Sequence, residues 1–439
     1  MTNMDYIHRH ITDNMISRIR DERVLVLTGA RQTGKTTLCE HEIPVLTGFP
    51  FTYISFDDPD ERLRFQKAAV SILESINTPL VVLDEVQKLP SLFDPLKLVV
   101  DRQIKQKDLS PQIFILTGSS QFLLMRNVRE TLAGRTALFN LYPLSLSETI
   151  GGKAPSLLNR IWQEQKIADD EKKRFFSLPP DKCRIMIALR DRHLTWGGYP
   201  PVWQRQDETA KANWLRDYRK TYLERDISDV GQVADIDLFA QAQKILCART
   251  ANILSVSEVA RDLSLSVNTL KRYIGLLNLS FQCFLLPPYY TNVGKRLVKS
   301  PKIYFPDTGL IRAILGDLSV SSGAMYESWL FSELNKWKQL QPAAPELFFY
   351  RTGGGREIDF LLVDGKTILP VEAKSHDQVS ESDGRNLEAF LKEFSPAARI
   401  GLVVYPGRDF IEIRKNIWAV PDWYLFARNH PAPADGAGA

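Results

Sequence analysis

Gly29-Ala30-Arg31-Gln32-Thr33-Gly34-Lys35-Thr36 fills every position of the spacing GxxxxGK[ST], and each residue type in it has a physical task. The glycines let the backbone turn tightly enough for successive N–H groups to face one anion. The helix expected to follow, from Thr36 to Glu42, adds the partial positive charge of its N-terminus. Lys35 is spaced to reach the β- and γ-phosphates of a nucleotide, and the Thr36 hydroxyl to bind Mg²⁺. The expected ligand is ATP with Mg²⁺, held by the backbone and side chains of Gly29, Ala30, Arg31, Gln32, Thr33, Gly34, Lys35, Thr36 and Thr37.

A second half of such a site is legible in Pro79-Leu80-Val81-Val82-Leu83-Asp84-Glu85, an apolar run that ends in two carboxylates. Asp84 is expected to hold Mg²⁺ through water, and Glu85 to orient and deprotonate the attacking water. Adjacent Asp and Glu at this place favour hydrolysis over phosphoryl transfer to a small molecule. Two further features follow. The run from Ile113 ends in Thr117-Gly118-Ser119-Ser120, so Thr117 or Ser119 is expected to sense the γ-phosphate at a strand end. Arg135, after Leu132-Ala133-Gly134, is a candidate for stabilising transition-state charge, in cis or from a neighbouring subunit.

Two other clusters lie outside this site. Ser255 to Leu279 reads as a short helix through Leu263, a turn at Ser264-Leu265-Ser266, and a second helix from Val267. Val259, Leu263, Leu270, Ile274 and Leu277 fall on one packing face, which is a helix-turn-helix pattern. Asn268, Lys271 and Arg272 then point outward toward nucleic acid. The run from Tyr289 to Arg296, with Lys295, Arg296, Lys299 and Lys302, reads as a basic wing able to meet phosphates, although such modules also serve as protein-packing surfaces. Further on, Arg356–Val363 and Ile368–Lys374 read as a hairpin with its turn at Asp364-Gly365. Glu372 and Lys374 share a face of the second strand. Asp359 comes from the first strand, and Glu327 from the helical run Tyr326–Leu334. This order can build a Mg²⁺ site for phosphodiester cleavage, with Asp359 and Glu372 as ligands, Lys374 activating water and Glu327 completing the pocket. It is equally the pattern of an exposed hairpin with a Glu–Lys pair.

The elements that must position these residues follow from hydrophobic patterning. In the first 150 residues Val24–Thr28, Phe51–Phe56, Pro79–Leu83 and Gln112–Thr117 are continuous rather than alternating apolar runs. That pattern suits a parallel sheet covered on both faces by helices, an α/β layering. The chain of 439 residues is too long for one core and divides into about three bodies. The expected boundaries are 1–150 for the phosphate-binding core, 151–232 for a charged helical lid or linker, 233–318 for the winged helix-turn-helix, 319–426 for a C-terminal α/β domain and 427–439 for a disordered Ala/Pro/Gly-rich tail. With 44% hydrophobic and 25% charged residues, bulk disorder is excluded, and a net charge of +4 is too small to indicate nucleic-acid binding without clustering. Four scattered cysteines form no CxxC pair, which argues against a structural zinc site and fits a reducing compartment. The first residues hold no apolar h-region, and no apolar run nears the roughly 20 residues needed to cross a bilayer, so a cytoplasmic protein without membrane association is expected.

Taken together, these stretches resemble a family of bacterial and archaeal AAA-type ATPases of uncharacterised role. The resemblance rests on Gly29–Leu38, Leu83–Gln87, Leu116–Ser120, Ala133-Gly134-Arg135, Gly197–Pro200, Tyr222–Ile227, Lys299–Lys302, Tyr304–Leu310, Glu357–Phe360 and Glu372-Ala373-Lys374. It runs from about Tyr6 to Trp423. It implies a P-loop core of the AAA type with self-association, followed by a winged helix and a C-terminal domain of the PD-(D/E)XK nuclease-like fold. It implies no substrate.

Overall fold

Buried strands flanked by helices are what the continuous apolar runs dictate, and a computed structural model of the chain has them. It describes residues 6–106, 112–118, 128, 130–132, 134–229, 233, 235–290, 299–316 and 323–427. Two compact units separate: His8–Pro143 with Leu279–Phe281, and Leu144 onward apart from that short return, together with Tyr6 and Ile7.

In the first unit five strands form one parallel sheet in the order β2-β3-β4-β1-β5. They are β1 (Val24–Thr28), β2 (Phe51–Ser55), β3 (Leu80–Asp84), β4 (Ile113–Gly118) and β5 (Thr136–Asn140). β1, β3 and β4 are buried at every position, as expected for central strands covered on both faces. Val24, Val26, Leu83 and Phe114 pack with Phe56, Phe65 and Leu96 into one core. Phe56 and Phe65 meet edge to face at 5.2 Å. The sequence pattern did not reveal β5, whose residues are mostly half-buried and whose Leu138 is exposed.

The second unit begins at Leu144, and residues 151–192 belong to its core rather than to a lid. The physical reason is an apolar stripe hidden among charges. Leu157, Leu158, Ile161 and Trp162 line one face of the helix Ser156–Glu164, and Met186 adds to it from the helix Pro180–Trp196. Three short strands, β6 (Asn252–Ile253), β7 (Phe284–Leu286) and β8 (Lys302–Tyr304), pair antiparallel in the order β6-β8-β7. Around them stand the helices Ile236–Ala248, Val256–Asp262 and Val267–Leu279. Val259, Leu263, Leu270, Ile274 and Leu277 are buried together as expected.

The remaining strands form a mixed six-stranded sheet, in the order β13-β14-β12-β11-β10-β9. They are β9 (Glu346–Arg351), β10 (Glu357–Asp364), β11 (Thr367–Ala373), β12 (Gly401–Tyr405), β13 (Ile411–Arg414) and β14 (Ile417–Pro421). Both faces of this sheet are covered. Phe360, Leu362, Leu369 and Val371 enter one core, and Ile358, Leu361, Val363 and Ile368 the other. Ile358 shares a face with Leu361, which regular alternation forbids. The β9–β10 register shifts between those two residues, a bulge that carries Asp359.

His193 shows how tightly this unit is closed. Its Nδ1 accepts from the Trp329 indole at 2.8 Å, and its Nε2 lies 2.9 Å from the Leu144 carbonyl. Burial pushes its proton affinity down to about 4, and an accepting Nδ1 suits only the neutral ring. The unfolded chain takes up this proton near 6.5, so the contribution is complete above that pH and is lost as pH falls toward 4. On this basis the urea midpoint should drop over that window by the equivalent of about 3 kcal/mol. His193→Gln, which keeps a donor and an acceptor, should flatten the profile. An unchanged profile would assign the acid sensitivity to other groups.

Among the described residues no helix is long and apolar enough to cross a membrane.

Candidate nucleotide site and a second carboxylate cluster

The phosphate loop leaves β1 at Thr28 and enters a helix at Lys35. Gly29 has φ 155° and Gly34 has φ 95°, so the chain turns through conformations that favour glycine at both motif positions. A Cβ on Gly29 would lie 2.2 Å from the Leu141 carbonyl oxygen, a backbone atom held in place by the Leu141 N–H to Thr28 O bond of 2.7 Å. Gly29→Ala must therefore push β1 away from the segment after β5. Its expected cost is at least about tenfold in ATP affinity, read by calorimetry on a chain whose melting curve shows it folded.

Lys35 is buried, and its ammonium donates to the carbonyls of Gly29 and Ala30, both at 2.9 Å. Thr33 closes the loop from within by donating to Ala30 O at 2.8 Å. Thr36 and Thr37 are exposed, which leaves the Thr36 hydroxyl accessible to a cation. Arg9, a residue no sequence motif contains, braces the loop from outside. It is buried and donates to Thr33 O at 2.7 Å and to Tyr142 O at 2.6 Å. Gln32, at φ 63°, is a left-handed non-glycine residue inside the loop.

The acidic strand tip lies at the same, C-terminal edge of the sheet. Because β4 sits between β1 and β3, Thr117 stands between the loop and the acids. Its hydroxyl donates to Asp84 Oδ1, while the phenol of Tyr53 on β2 donates to Asp84 Oδ2. Burial, then the bond to Asp84, raises the phenol's proton affinity, so it stays a donor at neutral pH. Glu85 has φ 54° and accepts from the Gln87 side chain. A glutamate held left-handed carries strain of about 1–3 kcal/mol, and such strain concentrates at functional sites. The donor set of Thr36 and Asp84, one exposed hydroxyl and one carboxylate, suits a hard divalent cation.

Arg135 does not join this group within the chain. It precedes β5, whose first residue pairs with the first residue of β1, so it sits at the edge opposite the loop. A five-residue strand separates the two edges by roughly 16 Å. There Arg135 pairs with Asp101 at 2.6 Å. Its service in cis is thereby corrected. Ser119 lies outside the described residues.

In the second unit Asn268, Lys271 and Arg272 are exposed on the helix Val267–Leu279, and Lys299 is exposed as well. Lys295 and Arg296 lie outside the described residues. Lys302 departs from the expected basic patch. It lies in β8, the central strand of its small sheet, and is buried with 3% of its surface exposed.

Its ammonium sits among the C-terminal carboxylates, 2.9 Å from Glu327, 2.6 Å from Glu357 and 3.5 Å from Asp359. Tyr304, two residues on, donates to Glu327 at 2.6 Å. Asp359 also accepts from the Ala373 N–H at 2.9 Å, and Lys374 donates to Glu372 at 3.0 Å. Glu327 and Asp359 thus share Lys302, while Glu372 and Lys374 pair with each other on the adjoining strand. Burial and then the nearby Asp359 push Glu327 up to about 7 and Glu372 up to about 8. Burial opposes the charge on Lys374, but Glu372 outweighs it and raises its proton affinity. With Lys302 in place the cluster does not fit a metal. As they stand around that ammonium, no three His, Cys, Asp or Glu side chains among the described residues are spaced to hold one. Glu357 and Lys302 were invisible as site residues in the sequence. The only signal was that Lys302 and Tyr304 alternate onto one strand face.

Residues 21–150 match a family described as AAA domain. Residues 187–320 and 322–425 match two domains of unknown function, DUF8612 and DUF4143. Uncharacterized proteins of Mycobacterium tuberculosis and Mycobacterium bovis are each 28% identical over 91% of this chain and 80% of their own. An uncharacterized protein of Methanocaldococcus jannaschii is 23% identical over 91% of this chain and 87% of its own. Among solved structures, the ORC2 protein of Aeropyrum pernix in its ADP form has 14% identity and a TM-score of 0.34, over 72% of this chain and 97% of its own. A point variant of Thermotoga maritima RuvB has 18% identity and a TM-score of 0.28, over 64% and 90%. TM-scores of this size carry no inference about activity. Residues 21–150, the span of the AAA-domain match, thus carry the phosphate loop and the parallel sheet of a P-loop nucleotide-binding domain.

Proposed function

We propose that this protein binds and hydrolyses Mg·ATP, and that its nucleotide state controls DNA-associated C-terminal domains. The observation that carries the reading is the placement of Lys35 and the Asp84–Glu85 tip at one edge of one sheet, with Thr117 between them. Lys35 and the loop amides bind the phosphates, Thr36 and Asp84 hold Mg²⁺, and Glu85 activates water. The metal supplies Lewis-acid neutralisation of phosphate charge. Arg135 acts in trans, on the nucleotide of a neighbouring copy.

The second unit supplies the output. Helix, strand, two helices and two strands, from Ile236 to Tyr304, follow a winged helix-turn-helix order, and Asn268, Lys271 and Arg272 stand outside the core, where they can meet DNA. A helix, three antiparallel strands, a helix and a parallel strand, from Gly323 to Tyr405, support the nuclease-like fold. The test is ATP turnover with and without duplex DNA, in wild type and in Lys35→Ala. DNA should stimulate wild type and leave the variant inactive. Turnover indifferent to DNA would point to a protein partner instead.

A second reading is favoured by Lys302. The C-terminal domain is then catalytically silent, and the protein is an ATP-gated switch that binds nucleic acid or a protein. Mg²⁺-dependent cutting by wild type but not by Asp359→Ala or Lys374→Ala would select the first reading. No cutting of DNA or RNA under any ATP condition would select the second.

A further inference from the structure

The carboxylate cluster of the second unit holds more acid than a structural ion pair requires. Glu327, Glu357 and Asp359 all lie within 3.5 Å of one ammonium, and Glu372 adjoins them. Lys302 is buried and the three carboxylates are partly buried, and charges so withdrawn from water are destabilising unless compensated. Four independent elements supply the parts: β8, the helix Gly323–Lys338, the bulged β10, and β11. One atom remains uncompensated. Glu372 is 7% exposed, and its Oε2 is buried with no hydrogen-bond partner. Its other oxygen accepts from Lys374 at 3.0 Å, and the next residue, Ala373, donates its N–H to Asp359 of the cluster at 2.9 Å. A buried acceptor without a donor, beside three carboxylates drawn onto one positive charge, marks a place shaped for a cation.

We propose that Lys302 is the resident cation of this cluster: its ammonium takes the place a divalent metal would need between Glu327, Glu357 and Asp359, and keeps the pocket closed to such metals. The delivery is rigid. β8 is paired on both sides, Ile253 and Leu286 standing opposite Lys302, so its backbone cannot shift without breaking a sheet. The ammonium also lies 5.6 Å over the Phe349 ring. Its Nζ to oxygen distances of 2.6 to 3.5 Å overlap the space that a metal would take at roughly 2.0–2.6 Å from the same oxygens. Two cations cannot share it. The inference does not depend on ATP hydrolysis or on DNA contact.

The test is Mn²⁺ uptake by the full chain without nucleotide, followed by electron paramagnetic resonance, in wild type, Lys302→Met, Asp359→Asn and the double variant. Wild type should show no uptake that Asp359→Asn removes, at Mn²⁺ up to about 1 mM. Lys302→Met should gain one site at least about tenfold tighter than any in wild type, and the double variant should lose it. Removing the ammonium leaves carboxylates unpaired and threatens folding. If Lys302→Met is unfolded in plain buffer, Mn²⁺ should restore its melting transition, because a ligand that binds only the folded state stabilises it. Wild-type uptake that depends on Asp359 would overturn the proposal. So would a folded Lys302→Met chain that takes up no metal, or an unfolded one that Mn²⁺ does not rescue.

Discussion

Glu85→Gln should bind Mg·ATP within about threefold of wild type and hydrolyse it about a hundred to ten thousand times more slowly, the range expected for loss of a general base. The substitution is nearly isosteric, so the left-handed backbone at φ 54° and the neighbouring Gln87 have no reason to move. What disappears is the group that accepts a proton from water. Lys35→Ala acts at an earlier stage, because it removes the ammonium that now rests on Gly29 and Ala30 and that phosphate would draw away. Single-turnover hydrolysis beside equilibrium nucleotide binding separates the two. Hydrolysis by Glu85→Gln within about twofold of wild type would remove the residue from its assigned role.

Arg190→Ala should cost the second unit about 3–5 kcal/mol, visible as a large fall in the urea midpoint. Asp422 is fully buried and Arg190 is 4% exposed. Their ion pair joins the helix Pro180–Trp196 to the helix Asp422–Ala427 across 232 residues of sequence. Tyr326 adds a hydrogen bond of 2.8 Å to the same carboxylate. Burial raises the proton affinity of Asp422, and Arg190 is the main opposing influence. Deleting the arginine leaves that carboxylate in a dry site with one donor fewer. The double change Arg190→Met, Asp422→Leu should recover much of the loss, since no charge is then stranded. A single-variant loss below about 1 kcal/mol would show that water reaches the pair.

What could be read before folding was what local pattern determines. The phosphate loop, β1, β3 and β4, the pair of helices around Ser264, and the hairpin carrying Asp359 and Glu372 are each written in contiguous residues. What could not be read depends on which strands become neighbours. Tyr53 touches Asp84 only because β2 lies beside β3. Arg9 meets the loop from 24 residues away. Lys302 looked like one more cation of a basic run, yet β8 carries it into the carboxylates 57 residues on. The segment 151–192 misled through composition, because surface charges outnumber the four apolar residues that decide where the helix Ser156–Glu164 packs. Arg135 stands beside a strand, but the end of β5 that it occupies follows from sheet direction, which no local pattern records.

The position of β4 sets the distance between the phosphate loop and the acidic strand tip. One strand interposed between β1 and β3 makes the step from loop to acids two strand spacings, roughly 9–10 Å. Neighbouring strands would leave about half of that, enough for a carboxylate to touch a phosphate but not for a nucleophile to stand between them. For the hydrolysis proposed above, the doubled step would leave room for a water molecule between a phosphate and the acids. It also sets Thr117, at the middle strand's end, between the loop and the acids.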